Sequence, residues 1–138
     1  MYSWHNVPGV QKFGSYIANN SSDGPFVNLG FKPAIVWVKL YSGADNNWVV
    51  YDRARMEATG NNSSTQPKGN PNGNTLQMND STEEPTSSLY YVDFLSNGFK
   101  VRDDDSCVNG SSGSYKYIYC AWAETPQYPL YGGQSSAL

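Results

Sequence analysis

Three adjacent carboxylates, Asp103, Asp104 and Asp105, close the alternating stretch SLYYVDFLSNGFKVRDDD, which starts at Ser88. Clustered carboxylates suit a hard cation such as calcium. A calcium loop, however, spaces its ligands so that alternate side chains converge, usually with a glycine and a later glutamate. Consecutive aspartates after a strand point to opposite sides in turn. The stretch therefore reads as the wet end of a hairpin, and no metal is expected. Glu83 and Glu84 would serve glycoside hydrolysis only if the fold brought another carboxylate opposite them. His5 is the only histidine, which excludes sites built on two histidine ligands. Neither GxxxxGK[ST] nor GxGxxG after a strand occurs, so no phosphate cradle is present. Cys107 and Cys120 lack CxxC spacing. Cys120 lies in the apolar run IYCAWA and reads as a buried, inert thiol; a bridge between the two remains open. The sequons at Asn20, Asn62 and Asn109 read as by-products of an Asn- and Ser-rich composition. No enzyme and no cofactor are expected.

Composition narrows the classes further. Charged residues make up 15% of the 138, against roughly 25% in ordinary soluble domains. Eleven tyrosines and abundant Ser, Asn and Gly fill their place. Such a chain makes short strands joined by tight turns, and tyrosine supplies apolar area with a polar handle. A formal charge of -3 argues against nucleic acid, which needs clustered Lys and Arg. No apolar run approaches the ~18 residues of a membrane span. The opening YSWHNVPG has neither a basic nor an apolar signal region, so folding in the cytoplasm is expected.

The elements that must position any site are strands. VQKFGSYIA (Val10 to Ala18) is the first. AIVWVKLY (Ala34 to Tyr41) is apolar at nearly every position and reads as a strand buried on both faces. NWVVYD (Asn47 to Asp52) pairs back onto it. LQMN (Leu76 to Asn79) is a short strand inside a long loop, 56–84. Asn97-Gly98 predicts a two-residue hairpin turn with φ > 0 at both positions. That turn pairs Ser96 with Phe99, Leu95 with Lys100, Phe94 with Val101 and Asp93 with Arg102. Val92, Phe94, Phe99 and Val101 then share a core face, and Asp93 meets Arg102 in an ion pair. SYKYIYCAWAE (Ser114 to Glu124) is the last strand. The expected fold is all-β, a single-domain β-sandwich or jelly-roll-like body of seven to nine strands over 1–125. An extended C-terminal tail, 126–138, follows. Trp37 and Trp122 sit inside apolar runs and read as core. Trp48, Tyr51, Asp52 and Arg53 lie near a strand end among polar residues and read as the better contact surface.

The segments WHNVPGVQKFGSY, DGPF, GFKPAIVWVK, NWVVYD, VDFLSNGFKVR and VNGSSGSYKYIYCAWAE together resemble a β-rich domain of bacteriophage virion proteins. That domain recurs in tail fibres and other structural proteins of aquatic phages, often those of cyanobacteria. The likeness covers roughly 4–124, with 56–84 poorly matched. It implies a non-enzymatic sandwich and a place in the virion.

On that resemblance, a domain of this size is expected to be a capsid decoration (cement) protein. Its partners would be the major capsid protein and copies of itself in a homotrimer. Tyr2, Trp4 and His5 at one end, and Tyr128, Leu130 and Tyr131 at the other, would reach neighbouring subunits. The alternative is a tail-fibre or receptor-binding module that holds host carbohydrate on Trp48, Tyr51, Asp52 and Arg53.

Overall fold

The computed structural model describes residues 3–58, 75–81, 90–110 and 114–125. Tyr2, Glu83, Glu84, Tyr128, Leu130, Tyr131, the tail 126–138 and most of the loop 56–84 lie outside them. The described residues form an all-β sandwich. Its strands are β1 (Gln11–Ile17), β2 (Phe26–Asn28), β3 (Pro33–Ser42), β4 (Val49–Asp52), β5 (Leu76–Gln77), β6 (Val92–Leu95), β7 (Gly98–Val101) and β8 (Lys116–Ala123). One short helix, α1 (Arg53–Ala58), follows β4. A five-stranded sheet has the order β1-β8-β3-β4-β5, and a three-stranded sheet the order β2-β7-β6. Every neighbouring pair is antiparallel.

Strand periodicity sends alternate side chains to opposite faces, and the core follows from that. Across the large sheet, Tyr16, Tyr117 and Leu40 form one inward row. Tyr119, Val38 and Val49 form the next, and Ala121, Val36 and Tyr51 the third. All are buried. The small sheet answers with Val27, Val92, Phe94, Phe99 and Val101. Phe99 meets Tyr16 and Tyr119 edge-on at ring centroids 6.2 and 5.6 Å, which joins the two sheets. The turn 106–110 closes one end. It contributes buried Cys107, Val108 and Asn109. The amide of Asn109 donates to Asn19 Oδ1 and to the Ser21 carbonyl, each at 2.8 Å, so its burial leaves no donor empty.

Two local readings need correction. The β6–β7 hairpin turns at Ser96-Asn97, and Leu95 pairs with Gly98, Phe94 with Phe99, Asp93 with Lys100 and Val92 with Val101. None of Ser96, Asn97 and Gly98 has a positive φ. Gly98 is needed inside the strand, because β2 runs against it: a Cβ there would lie 2.1 Å from the Val27 carbonyl oxygen. The Asn97 carbonyl is also held by the amides of Leu29 and Gly30, at 2.8 and 3.0 Å. The shift moves each partner by two positions, so the face holding Val92, Phe94, Phe99 and Val101 is the expected one. Asp93 and Arg102 still pair, now diagonally, at 2.5 Å. The second correction concerns β3. Only its Val36, Val38 and Leu40 side is fully buried; Ile35, Trp37 and Lys39 on the other side are half-exposed.

The close approach at Gly98 yields a test. Gly98→Ala should destabilise the fold by about 1–3 kcal/mol, the usual cost of overpacking. Urea unfolding would show the midpoint falling with an unchanged slope; a midpoint equal to wild type would mean that β2 yields freely.

Candidate functional site

The register of the large sheet fixes its outer surface row by row. Gln11, Trp122, Ile35 and Asp52 lie side by side across β1, β8, β3 and β4. The next row is Phe13, Cys120, Trp37, Val50 and Leu76. Ser15, Ile118 and Lys39 follow, then Ile17 and Lys116. The inward side chains of these strands already fill the core, so this second apolar face is not needed to close the sandwich. It carries few charges: Lys39, whose ammonium donates to the Asn46 carbonyl, Lys116 and Asp52.

The N-terminal segment folds over one corner of the face. Trp4 stacks on Phe13 at 5.8 Å with planes 14° apart. Its edge meets Trp37 at 6.5 Å and Trp122 at 6.2 Å. Trp37 and Trp122 meet at 4.8 Å, and Phe13 meets Trp122 at 5.8 Å. Four rings thus lock one another into a rigid group, yet Trp4 stays 60% exposed. Ile17, Tyr41 and Leu76 extend the exposed apolar area along and beside the face. Trp37 and Trp122 are therefore surface residues of the outer face, where core positions were expected. Of the expected N-terminal contact residues, Trp4 joins this group. His5 is exposed, and its backbone carbonyl accepts from Gln11 Nε2 at 2.9 Å.

The strip Trp48, Tyr51, Asp52 and Arg53 does not converge. Tyr51 pairs with Val36 and points inward, fully buried, its hydroxyl without a hydrogen-bond partner among the described residues. Burial pushes that hydroxyl well above the ordinary tyrosine range. Trp48 is half-exposed and its backbone is tied to the 78–79 turn, with its amide on Asn79 Oδ1 at 2.8 Å. It lies about 13 Å along the strand from Asp52. Asp52 Oδ1 accepts the Ala54 amide at 2.8 Å and so caps α1. Arg53 pairs with Glu124, which also takes Lys32 at 3.0 Å. An open cavity of about 360 Å³, lined by Ala34, Ile35, Asp52, Arg53 and Ala54, adjoins Trp122 through Ile35.

The aspartate run does local work. Asp103 Oδ1 accepts the Asp105 amide at 2.8 Å, and Asp105 Oδ1 accepts the Cys107 amide at 2.7 Å. These are successive Asx turns that start the 106–110 turn. Asp104 and Asp105 are exposed, while Asp103 is half-buried. Desolvation raises the Asp103 pKa, aided by Asp105 and Asp104, against hydrogen bonds from the Asp105 and Tyr91 amides. Among the described residues no group of three His, Cys, Asp or Glu converges. The two cysteines are both free. Burial pushes the Cys107 thiol up to about 11 and raises that of Cys120 as well.

A family model for a domain of unknown function, DUF7483, matches residues 1–126. The chain belongs to the DUF7483 family. No curated protein and no solved structure matches it. The matched span includes every described strand and the whole outer face.

Cys120 sits between Phe13 and Trp37 at the centre of that face, whereas Cys107 is in the core. In the free protein, maleimide should modify Cys120 at a measurable rate while Cys107 reacts only on unfolding. Both should be slow at neutral pH because their thiols are held protonated. Equal rates at the two positions, followed by peptide mass spectrometry, would contradict the assignment of faces.

Proposed function

We propose that the chain is a structural component of a bacteriophage virion, a capsid decoration protein that acts by binding. The observation that carries this reading is the apolar outer face of the large sheet. Exposed apolar patches beyond a few hundred Å² mark interaction surfaces. With strands ~4.8 Å apart and like-facing residues ~6.8 Å apart, the face covers roughly 500 Å², of which its apolar positions take roughly 300 Å². A standard interface takes about 800 Å² from each partner. The face would form the dry centre of such a contact, with Trp4 and the charged rim around Glu124 supplying its margin. The partner would be the major capsid protein, and the effect would be added interface against the outward pressure of packaged DNA. The motif resemblance supports the virion setting. The low charge and aromatic content of the face support a protein partner. Copy number decides the location. Quantitative mass spectrometry of purified particles should find hundreds of copies, in fixed ratio to the major capsid protein. A few to some tens would place the chain in the tail, and absence from particles would sink the reading.

The cavity beside Trp122 favours one second reading, a host carbohydrate held at that rim. Asp52 and Arg53 would supply polar contacts there and Trp122 an apolar ring, in place of the Trp48–Tyr51 strip. Titration with cellohexaose, chitohexaose and maltohexaose should then shift tryptophan emission, and Trp122→Ala should abolish the shift. Unchanged emission throughout would remove this reading and leave the first intact.

A further inference from the structure

The free edge of β1 is guarded along one half and open along the other. Its even-numbered amides face β8, as the neighbouring bonds Ala123 N to Val10 O and Ala18 N to Tyr115 O require. The odd-numbered amides face outward. The Gln11 amide donates to the Val7 carbonyl at 3.0 Å, and Val7 returns a bond of 3.0 Å to the Gln11 carbonyl. The Phe13 amide donates to Asn6 Oδ1 at 2.8 Å. The N-terminal segment therefore acts as a short false strand over Gln11 to Phe13. Beyond it the outward amides and carbonyls of Ser15 and Ile17 meet no partner among the described residues. Gly14, Ser15 and Ile17 are all exposed, and Ile17 is 59% exposed. No described residue covers this half, and an open edge carrying an exposed isoleucine is a template for another strand.

We infer that the open edge pairs with the same edge of a second copy, making a two-fold dimer through Ser15–Ile17. The stretch suits its own copy. Two outward amides and two outward carbonyls lie symmetrically about Tyr16. An antiparallel partner therefore sets Ser15 against Ile17 of the second copy and Ile17 against its Ser15, giving four backbone hydrogen bonds. The next outward position, Phe13, is already bonded to Asn6, so the ladder ends by itself. A two-fold contact uses the same patch on both copies and closes. Like charge does not oppose it. In this register Lys116 lies next to Ile17, and the Lys116 side chains of the two copies sit about 16 Å apart, beyond the ~10 Å screening length. Ser15 and Ile17 point to the outer face, so pairing sets the two outer faces side by side as one continuous surface. The inference does not depend on the virion reading.

Sedimentation velocity of the purified chain, from micromolar to millimolar concentration, is the test. The expected result is a monomer–dimer equilibrium, with amide exchange at Ser15 and Ile17 slowing as the dimer forms. Ile17→Lys should leave a monomer with an unchanged circular dichroism spectrum. Tyr41→Lys, beside the same face but away from the edge, should leave the dimer intact. A monomer throughout, a trimer, or a dimer that survives Ile17→Lys or breaks with Tyr41→Lys would overturn the inference. So would unprotected Ser15 and Ile17 amides at dimer concentrations.

Discussion

The sandwich depends on two buried phenols. Tyr16 and Tyr117 stack at 5.1 Å with planes 10° apart, side by side on neighbouring strands. Burying a hydroxyl without a partner costs several kcal/mol in an apolar medium, and unlike Tyr51 both of these phenols have partners. Tyr16 donates to the Val108 carbonyl at 2.6 Å. Tyr117 donates to the Ser106 carbonyl at 2.7 Å and accepts the Gly110 amide at 2.9 Å. All three bonds reach the 106–110 turn and add to the burial of Cys107 and Val108 in holding it at the end of the core. Through that turn the phenols also position Asn109 and hence the loop at 19–21. Burial raises both hydroxyls, that of Tyr117 to about 12, so they remain donors through neutral pH. Their folded values lie above the unfolded one, so this contribution stays whole below about pH 10 and is lost as pH climbs beyond it.

The strands and the sandwich were legible because short β-rich runs stood between dense turn signals. The side each residue takes was less so. In AIVWVKLY both alternating sets are apolar, so period two is present in the backbone and hidden in the residue types. Trp37 and Val38 look alike to a hydropathy argument, yet one faces water and the other the small sheet. In β8 the usual expectation inverts: Tyr117 and Tyr119 turn inward, the hydroxyl of Tyr117 meeting the Ser106 carbonyl, while Ile118 and Trp122 turn outward. Tyr51 was misread for the related reason that its neighbours Trp48 and Asp52 are surface residues. Counting from buried Val49 would have placed it inside.

The hairpin turn shows a different limit. Asn97-Gly98 carries the local signature of a tight turn, and locally that reading is sound. The glycine is claimed instead by a long-range demand, the passage of β2 against its Cα. No argument confined to the hairpin contains that neighbour. The aspartates were legible to the extent that two of the three face water; the turns that Asp103 and Asp105 cap were not. That Asp103 turns half inward depends on Tyr91, twelve residues earlier.

The locked ring group on the outer face has an optical consequence. Indoles 4.8 Å apart at a fixed 65° couple their transition dipoles and share excitation before either emits. Trp37 and Trp122 should therefore behave as a single chromophore with a split ellipticity band, and the exposed ring of Trp4 above them should feel the polarity of whatever covers it. The molecule carries its own spectroscopic gauge at the centre of the surface it offers to others.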